Sequence, residues 1–210
     1  MSGMIKKEIY MILQNKRFLG VCLVIYVLYS FLFEMDMSFY LPFMAAMMAI
    51  TGFSYDDYNN WQTYASSLPQ GKIGIVRAKF VTAFGSTLLA GVIGFLLSFA
   101  VIRIKGTGSL DESLSSLVGC LVAISILLCI LLPILFKYGS EKGRMAMYIM
   151  GIGLAGAVVV LTRFVKIEIS AKLLAFLESP VFPVLIAAVV IVMIAGSYLL
   201  SRKIYLKREF

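Results

Sequence analysis

The chain has no histidine, only three cysteines in 210 residues, and charged side chains at just 14% of positions. Each scarcity excludes a class of chemistry. Without histidine there is no Ser/His/Asp or Cys/His nucleophile pair, and the commonest zinc and haem ligand is missing. Cys22, Cys120 and Cys129 stand singly in apolar runs with no CxxC spacing. They read as small buried apolar side chains rather than a metal site or a disulfide framework. No G-x-x-x-x-G-K-[ST] motif occurs: Lys72 in GKIG and Lys142 in EKGR lack its frame, so ATP hydrolysis by this chain is not expected. The carboxylate pairs Asp56–Asp57 and Asp111–Glu112 are sequence neighbours. Neighbours diverge by about 100° on a helix and make no facing acid–base pair, so these are expected to be solvated or to face a partner. No catalytic set, no metal and no cofactor bound by this chain is expected.

What remains is apolar. Hydrophobic residues make up 61% of the chain, against about 45–50% in soluble domains, which are also about 25% charged. That composition belongs to a membrane protein. The apolar runs are continuous and do not alternate with period two, which argues for an all-α polytopic protein and against a β-barrel. At about 20 residues per span, six spans emerge: 18–33, 38–53, 80–102, 114–136, 145–161 and 181–200. Pro42 sits in the first turn of the second span, where a missing N–H does little harm. Pro133 lies late in the fourth and is expected to kink it. The first apolar run starts after Arg17 with no small-x-small site behind it, so it reads as an uncleaved span.

The span interiors hold no Asp, Glu, Lys or Arg. A charge in mid-membrane costs about 2.5–3.5 kcal/mol on insertion scales, and proteins keep one mainly for function. Its absence argues against an ion-driven pump or a voltage sensor, and suits apolar or amphipathic cargo moved by energy supplied elsewhere. The net charge is +8, and in a membrane protein such an excess reports topology rather than nucleic-acid binding. With the N-terminus inside, fourteen of the 19 Lys and Arg residues fall on the inner segments and five on the outer ones. Both termini are therefore expected in the cytoplasm.

Two segments look interfacial. Residues 4–17 carry Ile5, Ile9, Ile12 and Leu13 on one side and Lys6, Lys7 and Gln14 largely on the other, the pattern of an amphipathic helix on the inner leaflet. Residues 163–179 are apolar but interrupted by charge, as in an outer re-entrant or interfacial element. Small residues recur at four-residue spacing: Ser86, Ala90 and Gly94 in the third span, and Gly151 with Ala155 and Gly153 with Ala157 in the fifth. Such faces allow close helix approach, within one subunit or between two.

The most unusual stretch is SYDDYNNWQTYASSLP, residues 54–69. Read as a helix, it has Ser54 as N-cap and Asp56 and Asp57 in a first turn that favours negative charge. Tyr58, Trp61, Ala65 and Leu68 then form one apolar stripe, and Pro69 ends the helix. Such a segment either floats among lipid headgroups or docks its aromatic side into a cytoplasmic partner.

The stretch resembles the signature of ABC-2 type transporter permeases, in particular the small six-span bacterial subfamily that includes phenol-soluble-modulin exporter subunits. The matching residues are Asp56 and Asp57, Trp61, Tyr64-Ala65, Ser67-Leu68-Pro69, Lys72 and Lys79-Phe80, and IKKEIYMILQNKR resembles the family's entry into its first span. The family often has Arg where Lys72 stands. The resemblance implies one transmembrane domain over residues 1–210 with type V exporter-like architecture. It implies that 55–69 is a coupling helix seated on an ATPase through Asp56, Asp57, Tyr58, Trp61, Tyr64, Leu68, Pro69 and Lys72, that 4–17 is a connecting helix, and that 163–179 is re-entrant. It further implies a second permease, copy or sister, and two ATPase subunits that hold ATP and Mg. An exporter subunit is therefore the leading expectation. The alternative is a membrane sensor that recruits a cytoplasmic partner without transport. An importer's ligand-binding subunit would need intramembrane polar groups that are scarce here, and an integral membrane enzyme would need a catalytic set.

Overall fold

A computed structural model describes residues 2–33, 39–66, 71–105, 110–164 and 181–207. The described residues are helices joined by short turns, with no strand among them. In chain order the helices are α1 (Ser2–Gln14), α2 (Lys16–Phe33), α3 (Tyr40–Tyr58), α4 (Trp61–Ser66), α5 (Gly71–Lys105), α6 (Leu110–Phe164) and α7 (Val181–Leu206). The expected re-entrant segment 163–179 falls almost wholly outside the described residues, as do Leu68 and Pro69.

Among the described residues three helical stretches are long and apolar enough to cross a membrane: Gly71–Ile104, Ser113–Gly153 and Val184–Leu206. The pair Gly3–Gln14 and Lys16–Tyr29, bent by 59°, makes a fourth if counted as one span. Helix α3 is apolar at its start but ends in Ser54-Tyr55-Asp56-Asp57. In α6 the backbone leaves helical geometry at Gly139, with φ 81° and ψ −179°, a region open essentially only to glycine. Gly139 thus divides α6 into two arms that correspond to the fourth and fifth expected spans.

At Pro133, where a kink is expected, the backbone angles stay helical; the one non-helical residue within α6 is Gly139. Proline at 133 removes the N–H that would bond the carbonyl of Cys129. That carbonyl instead accepts a 2.7 Å bond from Ser197 Oγ on α7. A buried backbone acceptor without a partner is costly in lipid, so the serine repairs the proline's defect and staples α7 to α6.

The core lies where α3, α5, the first arm of α6 and the end of α7 converge. Phe136 is its centre: its ring meets Phe53 edge-on at 5.0 Å, Tyr205 at 5.2 Å and Phe80 in parallel at 6.4 Å. Phe53, Phe80, Phe136 and Tyr205 are all buried. Toward the other end the helices present Leu88, Leu89, Val92 and Leu96 of α5 and Ile191 and Val192 of α7 outward. In water such a surface would be an aggregation hazard; in lipid it is a solvated face.

Candidate functional site

Four segments that the charge distribution assigns to one side of the membrane meet at one end of the molecule: α1, the α3–α4 junction with the start of α5, the Gly139 break, and the end of α7. Their meeting place is built from charge. Lys7 and Glu8 of α1, Asp56 of α3 and Lys79 of α5 form a closed ring of alternating sign. Lys7 Nζ lies 3.0 Å from Glu8 Oε1, Glu8 Oε2 lies 3.0 Å from Lys79 Nζ, and Lys79 Nζ lies 2.6 Å from Asp56 Oδ2. The ion pair between Asp56 Oδ1 and Lys7 closes the ring. Each of the four carboxylate oxygens has its own cation contact, and the ring is neutral in sum. Asp56 and Lys79 are 2% and 3% exposed, so neither charge is compensated by water.

The surroundings hold this ring in place. Lys79 Nζ sits 4.6 Å above the ring of Phe53, and Lys7 Nζ 5.0 Å from that of Trp61. Both contacts place a cation on an aromatic face. Gly52 borders the ring: a Cβ there would make van der Waals contact, at 3.4 Å, with both Glu8 Oε2 and Lys79 Nζ. A cavity of about 280 Å³ beside the ring, between α1, α3 and α5, is lined by Glu8, Asn15, Thr51, Tyr55 and Thr82 among others.

A second junction starts at Asp57. Its Oδ2 accepts a 2.7 Å bond from the backbone N–H of Ser140, the first residue after the Gly139 break. Its Oδ1 accepts a 2.5 Å bond from Gln62 Nε2 of α4. Gln62 Oε1 in turn accepts from Tyr205 of α7 at 3.4 Å. Ser140 opens the second arm of α6, where N–H groups lack intrahelical partners, so a carboxylate from another helix caps that arm. Lys72 Nζ, 3.4 Å from the carbonyl of Leu206, joins the start of α5 to the end of α7.

These contacts correct the sequence reading. The expected single helix over 55–69 is two pieces. Helix α3 runs on through Ser54, which is therefore no N-cap, as far as Tyr58. Asn59 closes it, its side-chain and backbone N–H both donating to Tyr55 O at 3.0 and 3.1 Å. Asn60 turns the chain at φ 50°, a left-handed conformation that asparagine tolerates. Asp56 is buried and Asp57 half-buried, and both serve as internal ties. The expected stripe of Tyr58, Trp61 and Ala65 is also split. Tyr58 is 86% exposed and Tyr64 61%, whereas Ala65 is fully buried and Trp61 packs half-buried against the core. The exposed aromatic side chains of this region are Tyr55, Tyr58 and Tyr64.

A search of curated proteins and a search of solved structures each returned no significant match. A family described as "ABC-2 family transporter protein" matches residues 3–206. The chain belongs to the ABC-2 transporter family. It is a multi-pass membrane component of a transporter, and permeases of this family work with ABC ATPases rather than as enzymes themselves. In this ABC-2 permease the small-residue faces divide. Tyr26 of α2 donates to Gly94 O at 3.3 Å and lies 2.7 Å from Ser98 Oγ, so the stripe of Ser86, Ala90 and Gly94 is used at its Gly94 end within the chain. Gly151 and Gly153 are exposed, with open space where a Cβ would stand; Ala155 and Ala157 continue along the same arm.

Proposed function

We propose that the chain is the membrane-spanning permease of an ABC exporter that moves an amphipathic or apolar cargo, peptide or lipid-like, out of the cytoplasm. Separate ATPase subunits, two per complex, bind ATP and Mg. A second permease, copy or sister, completes the membrane half, with the second arm of α6, open at both Gly151 and Gly153, as its candidate seam. The N- and C-termini lie in the cytoplasm.

One observation carries the coupling role. Tyr58 and Tyr64 stand exposed on either side of a junction in which Asp57 binds both Gln62 of α4 and Ser140 of α6. A push on that aromatic face is delivered through short polar bonds to α6 and, through Gln62 and Tyr205, to α7. The ring of Lys7, Glu8, Asp56 and Lys79 carries the same push into α1 and α5. Trp61 acts as the inner brace of this lever, and Lys72 ties its α5 end to α7.

The test is purification of the tagged chain from native membranes, with an ATPase assay of what accompanies it. Co-purification of a Walker-motif ATPase, and loss of transport-linked turnover in Tyr58→Ala with Tyr64→Ala, are expected. A chain that comes alone and a variant that transports normally would overturn the reading.

A further inference from the structure

An apolar groove of about 650 Å³ runs between α5 and α7, open to the side of the molecule. Phe80 and Phe84 of α5 form one wall, and Ile191 and Ala195 of α7 the other. One end is different in kind. There Arg77 and Tyr198 line the groove, and Arg77 Nε donates to Tyr198 Oη at 3.1 Å, which fixes the exposed arginine's guanidinium at the groove's mouth. Helical register adds a second cation. Arg202 follows Tyr198 by four residues on α7 and so lies on the same face one turn further out. Among the described residues the lining holds no carboxylate.

We infer that this groove is a binding site for a single anionic phospholipid, with an acyl chain along Phe80, Phe84, Ile191 and Ala195 and the phosphate at Arg77 and Arg202. The occupant follows from charge and shape together. Lipid tails alone need no cation, and a free anion needs no apolar trough; a phospholipid needs both. Arginine suits the role because its planar fork matches phosphate oxygens while its methylene stem lies along apolar surface. The site lies in the leaflet that holds the charge ring, and it does not depend on the direction of transport. Occupancy fills the space beside Phe80, whose ring stacks on Phe136 in the core, so the lipid bears on the packing beneath the ring.

The experiment is native mass spectrometry of the purified full chain after exchange into equal amounts of phosphatidylglycerol and phosphatidylcholine with identical acyl chains. Wild type is expected to retain one phosphatidylglycerol per chain, with a preference of roughly fivefold for each of the two cations. Arg77→Gln with Arg202→Gln removes the preference, while Arg77→Lys keeps most of it. Arg103→Gln, at the far end of α5, leaves it unchanged and controls for net charge. Ala195→Trp fills the groove and lowers retention of both lipids. Soluble glycerol phosphate does not displace the bound lipid. Equal retention of the two lipids by wild type, a preference that survives the double arginine variant, or displacement by glycerol phosphate alone would each overturn the assignment.

Discussion

Lys79 Nζ lies 2.6 Å from Asp56 Oδ2, and both side chains are 3% exposed. Removing one member of a buried pair leaves an uncompensated charge. Lys79→Met is therefore expected to destabilise the permease by about 3–5 kcal/mol. Adding Glu8→Gln restores neutrality, leaving Lys7 and Asp56 as a pair. The double variant should recover part of the loss, a coupling of about 0.5–3 kcal/mol. Thermal unfolding in detergent of the two single variants and the double measures this. Strict additivity would mean that the four charges do not act as a ring.

Ser197 and Pro133 are expected to be coupled through an atom that belongs to neither. Ser197→Ala orphans the carbonyl of Cys129 and should cost about 1–3 kcal/mol. In a Pro133→Ala background residue 133 regains an N–H for that carbonyl, and Ser197→Ala should become nearly neutral. A double-mutant cycle on thermal stability checks it; the same cost in both backgrounds would contradict the account.

The break in α6 depends on two glycines. Gly139→Ala forces a side chain into φ 81° and should cost about 1–3 kcal/mol. Gly143→Ala would place a Cβ 2.3 Å from Leu135 Cδ2. Leu135 is 1% exposed and would have to shift within the core, so a cost of about 1–3 kcal/mol from overpacking is expected. Asp57→Ala should expose the Ser140 amide to faster hydrogen exchange while leaving α5 protected. Exchange rates over 139–143 in the three variants are the measurement.

The aromatic residues after α3 should separate into two groups. Tyr58→Ala, at a position 86% exposed, is expected to change stability by less than about 0.5 kcal/mol yet impair coupled ATP turnover. Trp61→Ala removes a half-buried ring and the cation contact with Lys7, and should lower stability by about 1–2 kcal/mol. Thermal unfolding and ATPase activity measured on the same preparations separate them. Equal stability loss in both would show that the two side chains serve the same purpose.

The helices and the grouping of loops were legible because lipid imposes long continuous apolar runs and charge marks their ends. Residues 4–17 show how far that reading reaches. Ile9 and Leu13 are indeed exposed, as a lipid-facing stripe should be. Lys7, on the polar side, pairs with Asp56 of α3, and Glu8 beside it is buried against α3 and α5. Periodicity distinguishes apolar from polar faces, but it does not say whether a polar face meets water or an opposite charge from Lys79, 71 positions away. Asp56 was misread for the same reason. The α3–α4 break was written in Asn59-Asn60, a pair that favours helix ends and left-handed turns, but the aromatic spacing across it suggested one helix. Gly139 holds the non-helical angles of α6 because glycine takes φ 81° and ψ −179° without strain, whereas the hydrogen bond that Pro133 lacks is made good by Ser197.

The central claim is that the Tyr58–Tyr64 face docks on an ATPase. The most direct measurement is site-specific photo-cross-linking from position 64 in native membranes, with position 103 at the opposite end of α5 as the comparison. The account predicts a cross-link from position 64 to a Walker-motif ATPase and none to it from position 103. Cross-links from position 64 to lipid alone, under conditions where transport is active, would contradict it.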